Sequence, residues 1–186
     1  GRLLLANDIK AVVLDHDPDQ IEMLRKFGLK VFYGDATRLD LLHAAGAAEA
    51  KLIINAIDNV EDSLALTDIV RQHFPGLRMV ARARNVRHFV ELRSRGVELV
   101  ERELFEASLR AGRQALEVMG FDRFRARDMT LLFRRNNIRS LETMIPVFAD
   151  EERLLSAARA GREELEALIN QDRQHFEGNH SSRGWH

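Results

Sequence analysis

Short apolar runs alternate with amphipathic segments along the first half of the chain. The runs are rich in Val, Ile and Leu and have no polar alternation, which is typical of strands buried on both faces of a parallel sheet. They predict strands at Ala11–Asp15, Lys30–Asp35, Lys51–Ile57, Leu77–Ala83 and Val97–Val100. Because helical patterns separate them, we expect an α/β fold with right-handed crossovers and helices on both faces of the sheet.

The predicted helices between these strands have recognisable ends. Pro18 stands in a first turn, where its missing N–H costs nothing, and Gly28 ends the same helix. The predicted helices span Pro18–Phe27, Leu39–Ala45, Glu61–Phe74 and Val86–Arg95. Residues Gly1–Ala6 have the pattern of the tail of another helix. A doubly wound sheet needs a strand and a glycine-rich turn before such a helix, so we expect both to precede Gly1 in a longer protein.

The pattern changes after Glu103, where strand signals end and helical ones continue. Residues 104–119 predict a long helix with Ala111-Gly112 at its centre, where another backbone could approach closely. Further helices are predicted from Phe124 to about Val147, interrupted at Asn136-Asn137, and at Asp150–Asn170, before a frayed tail at Glu177–His186. The chain therefore divides into a Rossmann-like domain at residues 1–103 that lacks its first strand and a helical C-terminal extension at residues 104–186.

Composition narrows the possible functions. The chain contains 45% hydrophobic and 31% charged residues, and no run approaches the roughly 18 apolar residues of a membrane span. It has no cysteine, which excludes disulfides and thiolate metal sites, and its seven histidines lack metal-ligand spacing. A net charge of −1 argues against a nucleic-acid partner. No catalytic motif is present, so we expect neither an enzyme nor a metal site.

Small and acidic residues follow the predicted strands, where open α/β sheets bind ligands. Asp15 ends the first strand at the position that commonly holds a ribose, and Asp35 follows the second within Gly34-Asp35-Ala36-Thr37. Together they could hold one adenosine. The alternatives are that Asp15 caps a strand end and that Asp35 is the N-cap of a helix. Asn55-Ala56 ends the third strand and offers a small residue beside the same crevice.

Basic residues form two further groups. Arg82, Arg84, Arg87 and His88 make a local cluster that is more typical of a solvated edge than of a binding site. Arg102, between Glu101 and Glu103, either pairs with these acids or offers a fork to a ligand carboxylate. Arg134-Arg135-Asn136-Asn137 interrupts an apolar helix. Asparagine is disfavoured there, so either a peptide-like ligand or solvent is expected to contact this segment.

Several of these segments closely resemble one family. They are Val12 to Asp19, Leu24 to Gly28, Lys30 to Arg38, Ile54 to Asp58, Ala81 to Arg84 and Phe133 to Asn137. The resemblance is to the cytoplasmic RCK (or KTN) domain of the Kef proteins, the glutathione-gated potassium efflux systems of Gram-negative bacteria. It runs from Gly1 to at least Glu142.

The resemblance implies a ligand-sensing regulatory domain. Glutathione would close the efflux system, and glutathione S-conjugates would open it. By the same resemblance, AMP or NAD(H) is held by Asp15, His16, Asp35, Ala36 and Ala56. Glutathione contacts are implied for Arg2, Arg102 and Asn137, and Phe27 corresponds to the aromatic position that a bulky S-substituent displaces.

The implied partners are a second copy, joined through the helix at residues 104–119, and a transmembrane antiporter domain. A quinone-reductase-like ancillary subunit is also implied, and the location is the cytoplasmic face of the bacterial inner membrane. Two alternatives remain open at this stage. One is an RCK-type domain gated by nucleotide or Ca²⁺, and the other is a fragment of an NAD-dependent oxidoreductase.

Overall fold

The computed structural model describes residues 1–147, 153, 156–157 and 159–170. The strands are β1 (Val12–Asp15), β2 (Lys30–Tyr33), β3 (Leu52–Asn55), β4 (Arg78–Ala83) and β5 (Leu99–Arg102). The helices are α1 (Arg2–Leu5), α2 (Pro18–Lys26), α3 (Leu39–Ala44), α4 (Val60–His73), α5 (Val86–Ser94), α6 (Phe105–Val118) and α7 (Arg123–Met144), followed by a 3-10 turn at Ile145–Val147. Residues 159–170 are helical. The predicted tail at Glu177–His186 and the predicted helix start at Asp150 lie outside the described residues.

The predicted α/β fold class is confirmed, although the strands form two sheets instead of a single one. β1 pairs in parallel with β2. β3 pairs in parallel with β4, which also adjoins β5. Within the described residues β1 and β3 share no sheet. Each strand is followed by a helix, as the alternation of apolar runs and amphipathic segments predicted.

The prediction that β1 and β3 are buried on both faces is wrong. Val12 is 43% exposed and Ile54 is 50% exposed, and the remaining β1 residues are only half-buried. The reason is that β1 and β3 are edge strands, so neighbouring strands and helices cover them on fewer sides. β4 lies between two strands, and alternate residues on it, Met79 and Ala81 among them, are buried.

A small core joins β1, α2 and β2. Ile21 of α2 is buried with Leu29 and Val31, and half-buried residues from the flanking elements pack against them. Asp17 fixes the start of α2, because its side chain accepts hydrogen bonds from the backbone N–H groups of Asp19 and Gln20. This cap turns the chain directly after Asp15, and so it determines how the end of β1 is presented.

Two compact units divide the chain. The first contains Gly1–Arg82 and Arg95–Glu101, and the second contains Ala83–Ser94 and the described residues from Arg102 onward. In the second unit α7 contacts α5 and α6, and Arg139 of α7 donates to Glu164 in the helical segment at residues 159–170 (3.3 Å). These units interleave along the sequence, and the domain division after residue 103 stays a prediction.

The helix α7 differs from its prediction, and one prediction for α6 is left open. α7 runs without a break through Asn136 and Asn137, so the predicted interruption is wrong. Asparagine carries only a modest propensity cost in a helix, which local contacts can offset. In α6, no described residue of this chain lies within 4 Å of a Cβ placed on Gly112, and the close approach of another backbone at this position stays a prediction. α6 also has no buried residue.

Candidate functional site

The strand-end acids Asp15 and Asp35 lie at the same edge of the two-stranded sheet. Asp15 pairs with Tyr33 in the β1–β2 register, and the N–H of Gly34 donates to the Asp15 carbonyl at 2.9 Å. The two carboxylates are therefore presented by adjacent strand ends, as the sequence predicted. Asp15 is half-buried, and its Oδ1 accepts from the N–H of Asp17 at 3.0 Å. This contact fits the strand-end capping alternative and fixes the rotamer of the carboxylate.

Asp35 is held as a carboxylate by its own turn. Its Oδ1 accepts from the Thr37 N–H at 2.8 Å and from the Thr37 hydroxyl at 2.7 Å. These bonds lower the pKa of Asp35 below its ordinary value, and the positive charges of His16 and Arg38 lower it further. Asp35 is not a helix N-cap, because α3 begins after Arg38. The alternative of an N-cap is therefore wrong, and the group forms an exposed acceptor beside the end of β2.

The other residues predicted for the nucleotide lie on the loops after β1, β2 and β3. Ala36 is half-buried within the Asp35 turn, whereas His16 and Ala56 are exposed. The carbonyl of Ala56 accepts from Nη2 of Arg82 at 2.6 Å. The sequence analysis assigned Arg82 to a solvated edge and missed this contact.

Buried Asn55 organises the loop after β3. Its Nδ2 donates to the Ser63 carbonyl at 2.8 Å and to the Thr67 hydroxyl at 3.2 Å, both on α4. Its Oδ1 accepts from the N–H of Ile57 at 3.4 Å. The signal in the sequence is an asparagine ending an apolar strand, followed by Ser and Thr four residues apart on one face of a helix.

Arg2 and Phe27, two of the predicted effector residues, lie together. The Arg2 guanidinium is 5.4 Å from the centre of the Phe27 ring, which is within cation–π range. Phe27 directly follows α2 and is 50% exposed, and Arg2 begins α1. Both side chains are therefore available to a ligand, and both belong to the first compact unit.

The other two predicted effector residues, Arg102 and Asn137, are hydrogen-bonded to each other. Nη2 of Arg102 donates to Oδ1 of Asn137 at 2.5 Å, and the guanidinium stacks 3.6 Å from the centre of the Phe105 ring. Both polar side chains are half-buried and belong to the second unit. The sequence analysis did not identify Phe105. Phe105 follows Arg102 by three residues, but this spacing brings the two side chains together only because of the turn between β5 and α6. The sequence did not show how that turn runs.

The basic cluster predicted at Arg82–His88 is not a basic patch. Arg82 forms an ion pair with Asp58, Arg84 lies 3.9 Å from Glu103, and Arg87 donates to Glu91. His88 is fully buried, and its Nδ1 accepts from the N–H of Arg84 at 3.2 Å. Arginines whose charges are compensated by neighbouring acids give little net attraction for phosphate.

A charged pair on α6 and α7 flanks the Arg102–Asn137 contact in sequence. Arg134 donates to Glu106 at 2.6 Å; Arg134 lies one turn before Asn137 on α7, and Glu106 lies in the first turn of α6, shortly after Arg102. Asn136, by contrast, is 6% exposed, and its Nδ2 has no hydrogen-bond partner within the described residues. The two adjacent asparagines therefore differ, because one is anchored by an arginine and the other is buried on the helix.

Across the part of the chain that the structure describes, no group of three or more His, Cys, Asp or Glu side chains could hold a metal ion. A search of the same residues finds no helix with the length and apolar character needed to span a membrane.

Two family models match the chain. The TrkA-N domain matches residues 1–102, and the "Potassium efflux system KefB C-terminal domain" matches residues 107–184. The glutathione-regulated potassium-efflux system protein KefC of Salmonella paratyphi B is 51% identical over 176 residues, which make up 95% of this chain. The chain spans about 28% of the length of that relative.

Solved structures agree with these matches. The Shewanella denitrificans Kef CTD in its AMP-bound form is 39% identical, with a TM-score of 0.72 over 79% of this chain and 90% of that one. The GsuK channel bound to NAD is 27% identical, with a TM-score of 0.52 over 61% of this chain and 20% of that one. The similarity therefore extends from sequence to fold, and two of the relatives were solved with adenine nucleotides.

Proposed function

Because the chain belongs to the TrkA-N domain family, as the RCK domain of a Kef-type potassium efflux system, we propose that it is a glutathione-sensing regulatory domain. In this proposal glutathione holds the efflux system closed, and glutathione S-conjugates open it. Full-length relatives extend well beyond this chain, so the transported ion and the gating step are part of the proposal.

The hydrogen bond between Arg102 and Asn137 is the observation that carries this proposal. Glutathione offers two carboxylates and two amide groups, which match a guanidinium fork and a side-chain amide. Arg102 is oriented by its stacking on Phe105 and by Asn137, so its fork is held before a ligand arrives. A preformed donor set loses less side-chain entropy on binding.

Phe27 supplies the discrimination between the two effectors in this proposal. The thiol of glutathione is small, whereas an S-conjugate carries a bulky apolar group. A half-exposed ring in cation–π contact with Arg2 can be displaced at low cost. Two ligands that share the same polar contacts but differ at this ring then favour different conformations, and gating requires such differential affinity.

The adenine nucleotide is proposed as a structural ligand at the strand ends. Asp15 and Asp35 would accept hydrogen bonds from the ribose hydroxyls and the adenine amine of one adenosine, and His16, Ala36 and Ala56 would line the same site. AMP and NAD in the related structures support this class of ligand. A carboxylate at the ribose disfavours a 2′-phosphate, so AMP or NAD(H) is preferred over NADP.

The proposed partners are a second copy of the chain and a transmembrane domain of the same protein. α6 has no buried residue, and Leu104, Val118 and Met119 beside it are strongly exposed, so this helix is proposed to join two copies of the chain. The length of the relatives supports a transmembrane antiporter domain within the same protein, with this domain on the cytoplasmic face of the bacterial inner membrane. A quinone-reductase-like ancillary subunit stays a prediction.

Two alternative functions are disfavoured by particular observations. A domain gated by nucleotide alone has no use for the Arg102–Asn137–Phe105 arrangement. An NAD-dependent oxidoreductase needs a proton donor beside the nicotinamide, and no sequence motif supplies one. The relatives are regulatory potassium-transport proteins rather than enzymes.

Calorimetric titration of the full-length protein with glutathione and with a bulky S-conjugate tests the proposal. Both ligands should bind saturably, and Arg102→Ala and Asn137→Ala should each weaken both strongly. Arg127→Ala, at an exposed position on α7, is the matched control and should change neither affinity. If AMP or NADH binds but neither thiol ligand does, the proposal fails, and the domain senses nucleotide.

A further inference from the structure

Three residues hold the loop between β3 and α4. At the start of the loop, the side chain of buried Asn55 accepts a hydrogen bond from the Ile57 N–H, and its Nδ2 donates to the Ser63 carbonyl on α4. At the other end of the loop, Asn59 caps α4 by accepting from the Asp62 N–H at 3.0 Å. The third contact comes from the neighbouring strand and is made by Arg82. The loop is therefore ordered before any ligand binds.

Arg82 reaches this loop because of the strand register. Asn55 pairs with Ala81 on β4, so the next residue on each strand brings Arg82 beside Ala56. Nη2 of Arg82 donates to the Ala56 carbonyl at 2.6 Å and also to the carboxylate of Asp58. One guanidinium thus holds the backbone of a proposed nucleotide residue and an acid two residues later.

This ion pair is poorly placed to stabilise the fold. The Arg82 side chain is 34% exposed and that of Asp58 is 76% exposed, and ion pairs at such positions contribute little to stability. Its effect on the local charge is larger. Asp58 lies just beyond the carboxyl end of β3, the edge of the sheet at which α/β domains bind anionic ligands, so an uncompensated carboxylate there would repel a phosphate.

We propose that Arg82 is a positioning residue that makes this edge of the sheet compatible with a phosphate-bearing nucleotide, by engaging Asp58 and fixing the Ala56 carbonyl. The inference rests on the proposed nucleotide site and adds to it a reason why a ligand that carries a phosphate is tolerated there. Arg82 acts through Asp58 and the loop, and the proposal assigns it no direct contact with the ligand.

Titrations of the full-length protein with AMP and with adenosine test this role. Arg82→Gln should weaken AMP binding about tenfold, a factor that corresponds to about 1.4 kcal/mol. Adenosine binding should change far less, because adenosine has no phosphate for Asp58 to repel. Adding Asp58→Asn to Arg82→Gln should restore most of the AMP affinity, and Asp58→Asn alone should leave it near wild type.

Arg78→Gln is the matched control, since Arg78 is an exposed arginine at the opposite end of β4 and should change neither affinity. Thermal unfolding without nucleotide shows whether each variant is folded. If the wild-type protein binds AMP and Arg82→Gln binds it equally well, or loses AMP and adenosine equally without rescue by Asp58→Asn, the role of Arg82 is refuted while the nucleotide site stands. If the wild-type protein binds neither AMP nor NADH, the nucleotide site fails and this inference fails with it.

Discussion

Two arginine–aromatic contacts in this chain differ in how firmly they are held. Arg2 lies 5.4 Å from the centre of an exposed Phe27 ring, and that contact joins two exposed side chains. Arg102 lies 3.6 Å from the Phe105 ring, is half-buried, and donates to Asn137 at 2.5 Å. A cation–π contact at an exposed site contributes about 0.5–1 kcal/mol, whereas a hydrogen bond to a charged group contributes about 1.5–3 kcal/mol.

This difference matches the two tasks in the proposed sensing of glutathione and its S-conjugates. The group that recognises features common to all effectors benefits from being preformed, as Arg102 is. The group that distinguishes a thiol from a bulky substituent must move, and Phe27 is held weakly enough to do so. The comparison can be tested by removing each contact in turn, from the largest expected effect to the smallest.

Arg102→Ala should have the largest effect. Glutathione affinity should fall on the order of 100-fold, because a charge-assisted hydrogen bond and the oriented guanidinium are both lost. Calorimetry measures the change, with Arg127→Ala as the control. An affinity within about twofold of wild type would show that the half-buried pair is structural.

Asn137→Leu should have the next largest effect, and it should lower both the stability of the protein and its affinity for glutathione. The substitution keeps a good helix former in α7 but removes the oxygen that accepts from a half-buried guanidinium, so the free energy of unfolding should fall by about 1–2 kcal/mol. Urea denaturation measures this change. Arg2→Ala is the comparison variant and should stay within about 0.5 kcal/mol of wild type. Equal losses in the two variants would contradict the contrast drawn above.

Phe27 substitutions should change selectivity more than affinity or stability. With Phe27→Ala, the ratio of S-conjugate affinity to glutathione affinity should rise by roughly threefold to tenfold, because the bulky substituent no longer has to displace the ring. Competition binding measures the ratio. Tyr33→Ala, at another exposed aromatic residue of the same unit, should leave it unchanged. A falling affinity for both ligands in parallel would assign Phe27 to general binding.

The smallest effect concerns pH at Asp35. Its pKa is lowered below 3.8, so the folded turn is favoured by ionisation: the stabilisation is present above the unfolded pKa and is lost as pH falls through the folded one. Nucleotide affinity should therefore not respond to Asp35 down to about pH 4. In Thr37→Val the side-chain bond is lost and the pKa of Asp35 should rise, which carboxyl NMR titration measures. A Thr37→Val titration that matches the wild type would refute the assigned cause.

Features that depend on neighbouring residues were predicted correctly from the sequence, whereas features that depend on distant residues were not. The order of strands and helices, the cap region at Asp17-Pro18 and the strand-end positions of Asp15 and Asp35 could be predicted, since each depends on a few neighbouring residues. The extent to which β1 and β3 are buried could not be predicted in this way. An apolar run shows that a strand prefers cover, but the sheet in which it pairs determines how much cover it receives.

Asn137 and Arg82 show the same limit within single residues. An asparagine in a helix looks like an interruption until Arg102, 35 residues away in sequence, is found to bond to it. Arg82 looks like one of several solvated arginines until the β3–β4 register brings it beside Ala56.

The sequence by itself determined the alternating α/β pattern, the family and the identity of the groups available for ligands. These are encoded by local periodicity, by turn residues and by side-chain chemistry. Only the tertiary structure decided which of those groups meet. Hydrogen bonds and ion pairs operate over a few ångströms, and folding alone sets the separation of residues that are distant in sequence. The pairing of Arg102 with Asn137, of Arg2 with Phe27 and of Arg82 with Asp58 belongs to that second class.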